Sequence, residues 1–176
     1  MLGGSFGAQR LNQPVPEMAG MAPVGELEIY QHTGGNNSEE TEVEYRHRDL
    51  HSDERDDIRI VPYIDNMAEA YQWADLVLCR AGAMTVSELA VVGRSAILVP
   101  FPFAVDDHQT ANGEFLEMGG AAFLIQQSEL DGGKLLQMVR EFIDNPQKVS
   151  EMGDLASQLA QPHATERVVS ICQEFC

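Results

Sequence analysis

Short apolar runs that turn, within a few residues, into the start of a helix recur along this chain, and no other feature restricts its fold as much. The clearest case is Ala74-Asp75-Leu76-Val77-Leu78-Cys79, followed by Arg80-Ala81-Gly82-Ala83-Met84 and then Thr85-Val86-Ser87-Glu88. A short apolar run bounded by turn residues reads as a buried strand, and a capping pattern after it reads as a helix start. The same reading predicts strands over 26–32, 57–61, 95–100 and 121–125, and helices over 8–21, 38–50, 67–73, 85–92 and 108–118. Asp65 is expected to cap the helix at 67, and Gly93 to end the one begun by Thr85. Three closing helices are expected over 130–144, 147–159 and 165–175, punctuated by Pro146 and Pro162. Parallel neighbours need a crossover, which a helix supplies. The expected fold is therefore α/β, a doubly wound, Rossmann-like parallel sheet forming one domain over 1–176, with closing helices from about 130 to 176.

The chain opens on Met1-Leu2 and goes straight into Gly3-Gly4-Ser5-Phe6-Gly7-Ala8. In a βαβ unit such a turn follows a buried apolar strand that floors the site. The expectation is that the first strand is truncated, and that the chain is a fragment or begins at an internal methionine.

A formal charge of −17 over 176 residues argues against a nucleic-acid surface, because phosphate binding rests on Lys and Arg neutralisation. Much of the acid lies between Glu39 and Asp57, which leaves a strand mouth elsewhere free to hold an anion through backbone N–H groups. No stretch reaches the roughly 18 consecutive apolar residues of a membrane span, so a cytoplasmic chain is expected. Cys79, Cys172 and Cys176 fit neither zinc nor redox spacing and read as free thiols.

Several residues at the expected strand mouths carry chemistry, each with a plainer reading beside it. The glycines of residues 3–7 let a backbone approach a phosphate, but no glycine stands two residues after Gly3, so the dinucleotide fingerprint is not met. Thr85-Val86-Ser87-Glu88 has the form of a capping box, with Thr85 as N-cap and Glu88 reaching back. Arg80, a cation at the end of a buried strand, needs a structural carboxylate or a ligand phosphate. Asp106-Asp107-His108-Gln109 suggests a metal at first sight, yet adjacent acids converge poorly on one ion and Asp107 accounts for itself as an N-cap. No metal and no cofactor is expected.

The run 80–88, read with Pro100-Phe101-Pro102 and Asp106-Asp107-His108-Gln109-Thr110-Ala111-Asn112, resembles the donor half of the MurG-like N-acetylglucosaminyltransferases. The resemblance extends over nearly the whole chain. It implies the C-terminal half of a two-domain GT-B glycosyltransferase that binds UDP-GlcNAc, with no D-x-D metal signature. Gly4 and Ser5 are then expected at the diphosphate, Ala83, Met84 and Thr85 along the phosphate and sugar side, and Arg80 near the phosphates. The Ile64 backbone is expected at the uracil edge, Glu88 on the two ribose hydroxyls, and His108 and Gln109 on the donor GlcNAc. A carboxylate suits a cis-diol, since each oxygen can accept one hydroxyl.

The resemblance further implies inverting transfer of GlcNAc to lipid I, giving lipid II, at the inner face of the bacterial cell membrane. The catalytic base and the acceptor site belong to an N-terminal domain that this chain lacks, so no catalytic residue is expected here and the chain alone should be inactive. The rivals are a UDP-GlcNAc epimerase or glycolipid glucosyltransferase on the same fold, and a non-catalytic UDP-sugar-binding subunit that recruits a separate acceptor-domain chain.

Overall fold

The computed structural model of the chain describes residues 8–35, 37–50 and 55–175. The expected truncated first strand and the glycine-rich turn fall on residues 1–7, outside the described residues. Two short helices, Ala8–Asn12 (α1) and Pro14–Met21 (α2), lead into strand Ile29–His32 (β1). Helix Ser38–Arg46 (α3) carries the chain to Ile58–Val61 (β2), which pairs with β1 in parallel, Ile29 opposite Ile58 and His32 opposite Val61. After Met67–Trp73 (α4) come Leu76–Cys79 (β3), Ala83–Val92 (α5), Ser95–Leu98 (β4), His108–Met118 (α6) and Ala122–Leu124 (β5). These three strands lie in the order β3-β4-β5, all parallel, with Leu76 opposite Ser95 and Ala96 opposite Ala122. Gly132–Asp144 (α7), Pro146–Leu159 (α8) and Ala164–Glu174 (α9) complete the chain.

Alternate residues of a strand face opposite sides of its sheet, and the core divides accordingly. Leu78, Ile97 and Val99 join Leu11, Val15, Met18 and Leu135 in one buried cluster, so α1, α2 and α7 cover one face. Val77, Cys79, Ala96 and Leu98 join Val86, Leu89 and Leu116 in the other, beneath α5 and α6. Helices on both faces of parallel strands make the doubly wound arrangement that the alternation predicted. Full burial of each large aliphatic side chain contributes roughly 1.5–3 kcal/mol to holding it.

Two glycines let α8 close against this core. Gly93 ends α5 in the left-handed region at φ 65°, where a side chain would be strained. A Cβ on Gly153 would stand 2.6 Å from the Gly93 carbonyl oxygen, so only glycine permits this backbone approach. Ser95 Oγ, donating to the Val149 carbonyl at 2.5 Å, ties β4 to the same helix.

Several boundaries differ from the expectation. The helix expected over 8–21 breaks at Gln13, because Pro14 and Pro16 lack the N–H groups that would bond back one turn. The Asn12 carbonyl, which Pro16 would otherwise have bonded, is approached by Gln31 Nε2 at 3.5 Å. The strand expected from 26 starts at Ile29, after a turn in which Glu26 N–H donates to the Pro23 carbonyl and Gly25 takes φ 79°. The acidic helix ends at Arg46 rather than 50, closing through left-handed Asp49 with Leu50 N–H on the Tyr45 carbonyl at 3.0 Å. Asn66, not Asp65, caps α4: its side chain accepts from Glu69 N–H at 3.2 Å, the position one residue nearer the helix having the reach.

Beside β1 lies a buried polar chain that the apolar pattern did not announce. Tyr45 and Gln31, both fully buried, meet through Tyr45 Oη donating to Gln31 Oε1 at 2.7 Å. Gln31 Nε2 reaches Asn12 Oδ1 at 3.4 Å, and Asn12 Nδ2 donates to the Thr33 carbonyl at 3.1 Å. The network locks the break between α1 and α2 onto the carboxyl end of β1.

Candidate functional site

The turn from β3 into α5 exposes the start of a helix. Gly82 is the N-cap, in extended conformation, with no side-chain cap; Val86 N–H closes the first turn on the Gly82 carbonyl at 2.9 Å. The capping box expected at Thr85 and Glu88 is therefore not formed. The helix starts two residues earlier, with Gly82 extended at the N-cap and Thr85 inside the first turn. Ala83, Met84 and Thr85 occupy that first turn, whose N–H groups have no partner within the helix and sit at its positive end. Met84 is 75% exposed.

Glu88 lies one turn further along, near Thr85 on the helix surface. Its Oε2 accepts from Tyr71 Oη at 2.9 Å, and Tyr71 is buried on α4. Burial first, and then the Glu88 carboxylate, push the Tyr71 phenol well above its ordinary value, so it remains a donor. Glu88 is thus an exposed carboxylate aimed by a buried phenol, with acceptor positions left on both oxygens. Sequence reasoning missed Tyr71. Its only signal was a tyrosine in the helix preceding the strand.

Arg80 is 7% exposed at the end of β3. Its guanidinium donates to the Val99 and Pro100 carbonyls at 3.2 and 3.1 Å and to Gln127 Oε1 at 2.6 Å, and lies 5.5 Å from the centre of the Phe101 ring. Burial lowers its pKa from the ordinary arginine value. Arg80 therefore binds the ends of β3 and β4 to the segment after β5. Beneath it, burial pushes the Cys79 thiol up to about 12, which leaves it inert as a nucleophile.

The next strand mouth holds the other expected pair. His108 and Gln109 open α6. Gln109 Oε1 accepts from Phe101 N–H at 2.9 Å, which fixes the amide and leaves its NH₂ as the donor end. Asn112 Nδ2 donates to the Ala81 carbonyl at 3.2 Å and so joins α6 to the β3–α5 turn. Asp107 occupies the N-cap position of α6 as expected, but its side chain accepts from Thr110 Oγ1 at 2.7 Å instead of from the backbone. Asp106 and Asp107 both take left-handed conformations, φ 53° and 51°, and the Asp107 side chain makes no cap bond to the helix backbone. Among the described residues, no three His, Cys, Asp or Glu side chains come together as a metal site requires.

Ile64, half-buried, follows β2 at that strand's carboxyl end. Gly4 and Ser5 lie outside the described residues. The remaining expected residues thus stand just beyond the carboxyl ends of three parallel strands, where open α/β sheets take ligands. Next to Arg80 a cleft of about 640 Å³ opens between the α1–α2 break and the segments 101–103 and 127–131. Ile64, Thr85, Glu88 and Gln109 do not line it.

The family model for the glycosyltransferase family 28 C-terminal domain matches residues 1–168. The chain belongs to this family. Family 28 relatives agree along its length: a UDP-N-acetylglucosamine--N-acetylmuramyl-(pentapeptide) pyrophosphoryl-undecaprenol N-acetylglucosamine transferase of Pseudomonas fluorescens is 45% identical over 176 residues, 99% of this chain and 48% of that protein. The enzyme of the same name from Halorhodospira halophila is 44% identical over 174 residues, 99% of this chain and 47% of the relative. The chain thus spans about half the length of the curated relatives it matches. Among solved structures, Acinetobacter baumannii MurG superposes with a TM-score of 0.86 at 42% identity, covering 98% of this chain and 50% of that one. A kitacinnamycin glycotransferase, at a TM-score of 0.60 and 14% identity, shares the fold. The family 28 likeness accords with the α/β, GT-B-type C-terminal domain expected from the sequence. No helix among the described residues is long and apolar enough to cross a membrane.

Proposed function

We propose that this chain, over 1–176, is the donor-binding domain of an inverting glycosyltransferase that moves GlcNAc from UDP-GlcNAc to lipid I, yielding lipid II in peptidoglycan synthesis. The observation that carries the reading is Glu88, an exposed carboxylate aimed by Tyr71 one turn beyond a helix N-terminus, in a family 28 chain 45% identical to a named GlcNAc transferase. The Glu88 carboxylate takes the ribose diol. The first-turn N–H groups of Ala83, Met84 and Thr85, with Gly4 and Ser5, take the diphosphate, and their dipole stabilises the departing UDP without a metal. The Ile64 backbone reads the uracil edge, and His108 and the NH₂ of Gln109 take GlcNAc hydroxyls. Arg80 acts as the cationic floor that holds these loops in register.

The acceptor, the base that deprotonates its hydroxyl, and attachment to the inner face of the cell membrane belong in this reading to an N-terminal domain. The 176-residue chain then binds donor without turning it over. Isothermal titration with UDP, UDP-GlcNAc and ADP tests the assignment: UDP and UDP-GlcNAc bind, and ADP binds at least about tenfold more weakly, since a site with hydrogen bonds matched to one base penalises another. Equal affinity for ADP sinks the reading. Glu88→Gln keeps the fold and weakens UDP about five- to fiftyfold through loss of charge-assisted bonds to the ribose.

A further inference from the structure

We infer that the strand mouths take an anionic ligand against the field of their own rim, so that binding strengthens as ionic strength rises. The inference rests on the donor-binding reading above for the identity of that ligand, but the charge of the rim does not depend on it. A site that draws its anion by long-range attraction behaves in the opposite way, because screening weakens the attraction.

A helix that follows a parallel strand begins at that strand's carboxyl end, so the charges of its first turn stand at the ligand mouth. There α3 carries Glu39 and Glu40, α4 is preceded by Asp65 and carries Glu69, and α6 is preceded by Asp106 and Asp107. All six are exposed. Acid in such a position is ordinary for each helix by itself, because it complements the helix dipole. Repeated on three helices that start at strand mouths, it charges the whole edge. The first turn of α5, Ala83, Met84 and Thr85, breaks the pattern and holds no acid. The mouths are therefore not clear of the acid that the sequence concentrates between Glu39 and Asp57.

Cations do not balance this edge. Arg80 is buried, with donors directed to the Val99 and Pro100 carbonyls and to Gln127. Arg10 on α1 is exposed, and Lys134 stands three residues after the capping Asp131. Arg46, Arg48, Arg55 and Lys148 are drawn into pairs with Glu42, Glu44, Asp57 and Glu141. Around a chain of formal charge −17, the long-range field repels a nucleoside diphosphate, while the hydrogen bonds that hold it act at contact. Salt shortens the screening length from about 10 Å near 0.1 M to about 3 Å near 1 M, which removes most of the repulsion and leaves close, partly buried contacts much less affected.

The first arm of the test needs no ligand. Met84→Cys puts a thiol on the first turn of α5, where Met84 is exposed, and Cys172→Ser with Cys176→Ser leaves it beside only the buried Cys79. Its reaction with dithiobisnitrobenzoate, a dianion, should quicken about tenfold between about 0.1 M and about 1 M potassium chloride, relative to neutral dithiodipyridine. In the second arm, calorimetry on the unaltered chain should show UDP bound about tenfold more tightly at the higher salt, and UDP-GlcNAc gaining less because it carries less charge. Uridine, followed by saturation-transfer NMR, should not respond.

Asp65→Asn combined with Asp106→Asn should raise both the dianion rate and the UDP affinity about threefold at the lower salt, asparagine being tolerant of the left-handed backbone at 106. Asp154→Asn is the control: Asp154 is exposed on α8 next to Gly153, which packs on Gly93 at the opposite end of α5, and its change should move neither reading by more than about 1.5-fold. A dianion rate or a UDP affinity that falls or stays level as salt rises overturns the inference, and so does an equal response to Asp154→Asn. Absence of UDP binding at any salt removes the donor reading instead, while the thiol arm still decides the charge of the rim.

Discussion

The two groups of parallel strands are held in place by different physics. In β3 and β4 nearly every side chain is buried, and Ile97, Leu98 and Val99 are wholly so. In β1 and β2 burial is partial, and the fully buried side chains around them include Gln31, Thr33 and Tyr45. The β3–β5 group is specified by apolar interdigitation, in which the loss of volume is what costs. The β1–β2 pair is specified by a satisfied polar network, in which the loss of one partner strands another. Both devices serve one end, since each fixes a strand mouth from which candidate ligand-binding residues project.

Truncation is the sharpest probe of the apolar side. Ile97→Ala should destabilise the chain by about 2–5 kcal/mol, read from urea denaturation by circular dichroism, and a cost under 1 kcal/mol would mean that this half is not the rigid one. Tyr45→Phe keeps nearly all the volume but leaves Gln31 Oε1 without its donor. It should cost about 1–3 kcal/mol, whereas a volume-conserving change in the apolar half costs less. A neutral Tyr45→Phe would erase the contrast.

Tyr71→Phe straddles the two groups, since α4 connects them. It is expected to cost about 0.5–1.5 kcal/mol and to weaken UDP severalfold by releasing Glu88, while Glu88→Gln weakens UDP more. The smallest effect belongs to an ion pair at the foot of β2. Arg55 Nε donates to Asp57 Oδ1 at 2.8 Å, and a second guanidinium nitrogen bonds Asp57 Oδ2. This bond, ahead of the opposing effect of burial, holds the Asp57 carboxyl below the usual carboxylate range. Its contribution, at most about 1 kcal/mol, is complete above the ordinary aspartate value near 3.9 and is lost as pH falls through the lower folded value. Asp57→Asn should remove that part of the acid slope in a pH series of melting curves.

The order and type of the elements were legible because apolar periodicity reports burial directly: 76–79, 108–118 and the glycine end of α5 fell where the pattern put them. The N-terminus of α5 was misread because Thr85 and Glu88 satisfy a local capping rule, while the folded helix takes its N-cap at Gly82, three residues earlier. The break at Gln13 was readable in Pro14 and Pro16 but needed the Gln31 side chain to make it tenable. Of the candidate site, the residue types were legible through the resemblance. Their supports were not: Tyr71 behind Glu88, Gln127 on Arg80 and the Phe101 amide on Gln109 all depend on which side chains the fold brings into reach.

By itself the sequence determined the alternation of parallel strands and covering helices, membership of family 28, and the few side chains proposed to hold a nucleotide sugar. Periodicity and motif are properties of neighbours along the chain, and they survive without coordinates. Only the tertiary structure decided which way those side chains are held. Tyr71 and Glu88 are 17 positions apart and Arg80 and Gln127 are 47, so no local rule relates them. Hydrogen bonds act over about 3 Å, and that proximity is created only when both faces of the sheet are closed.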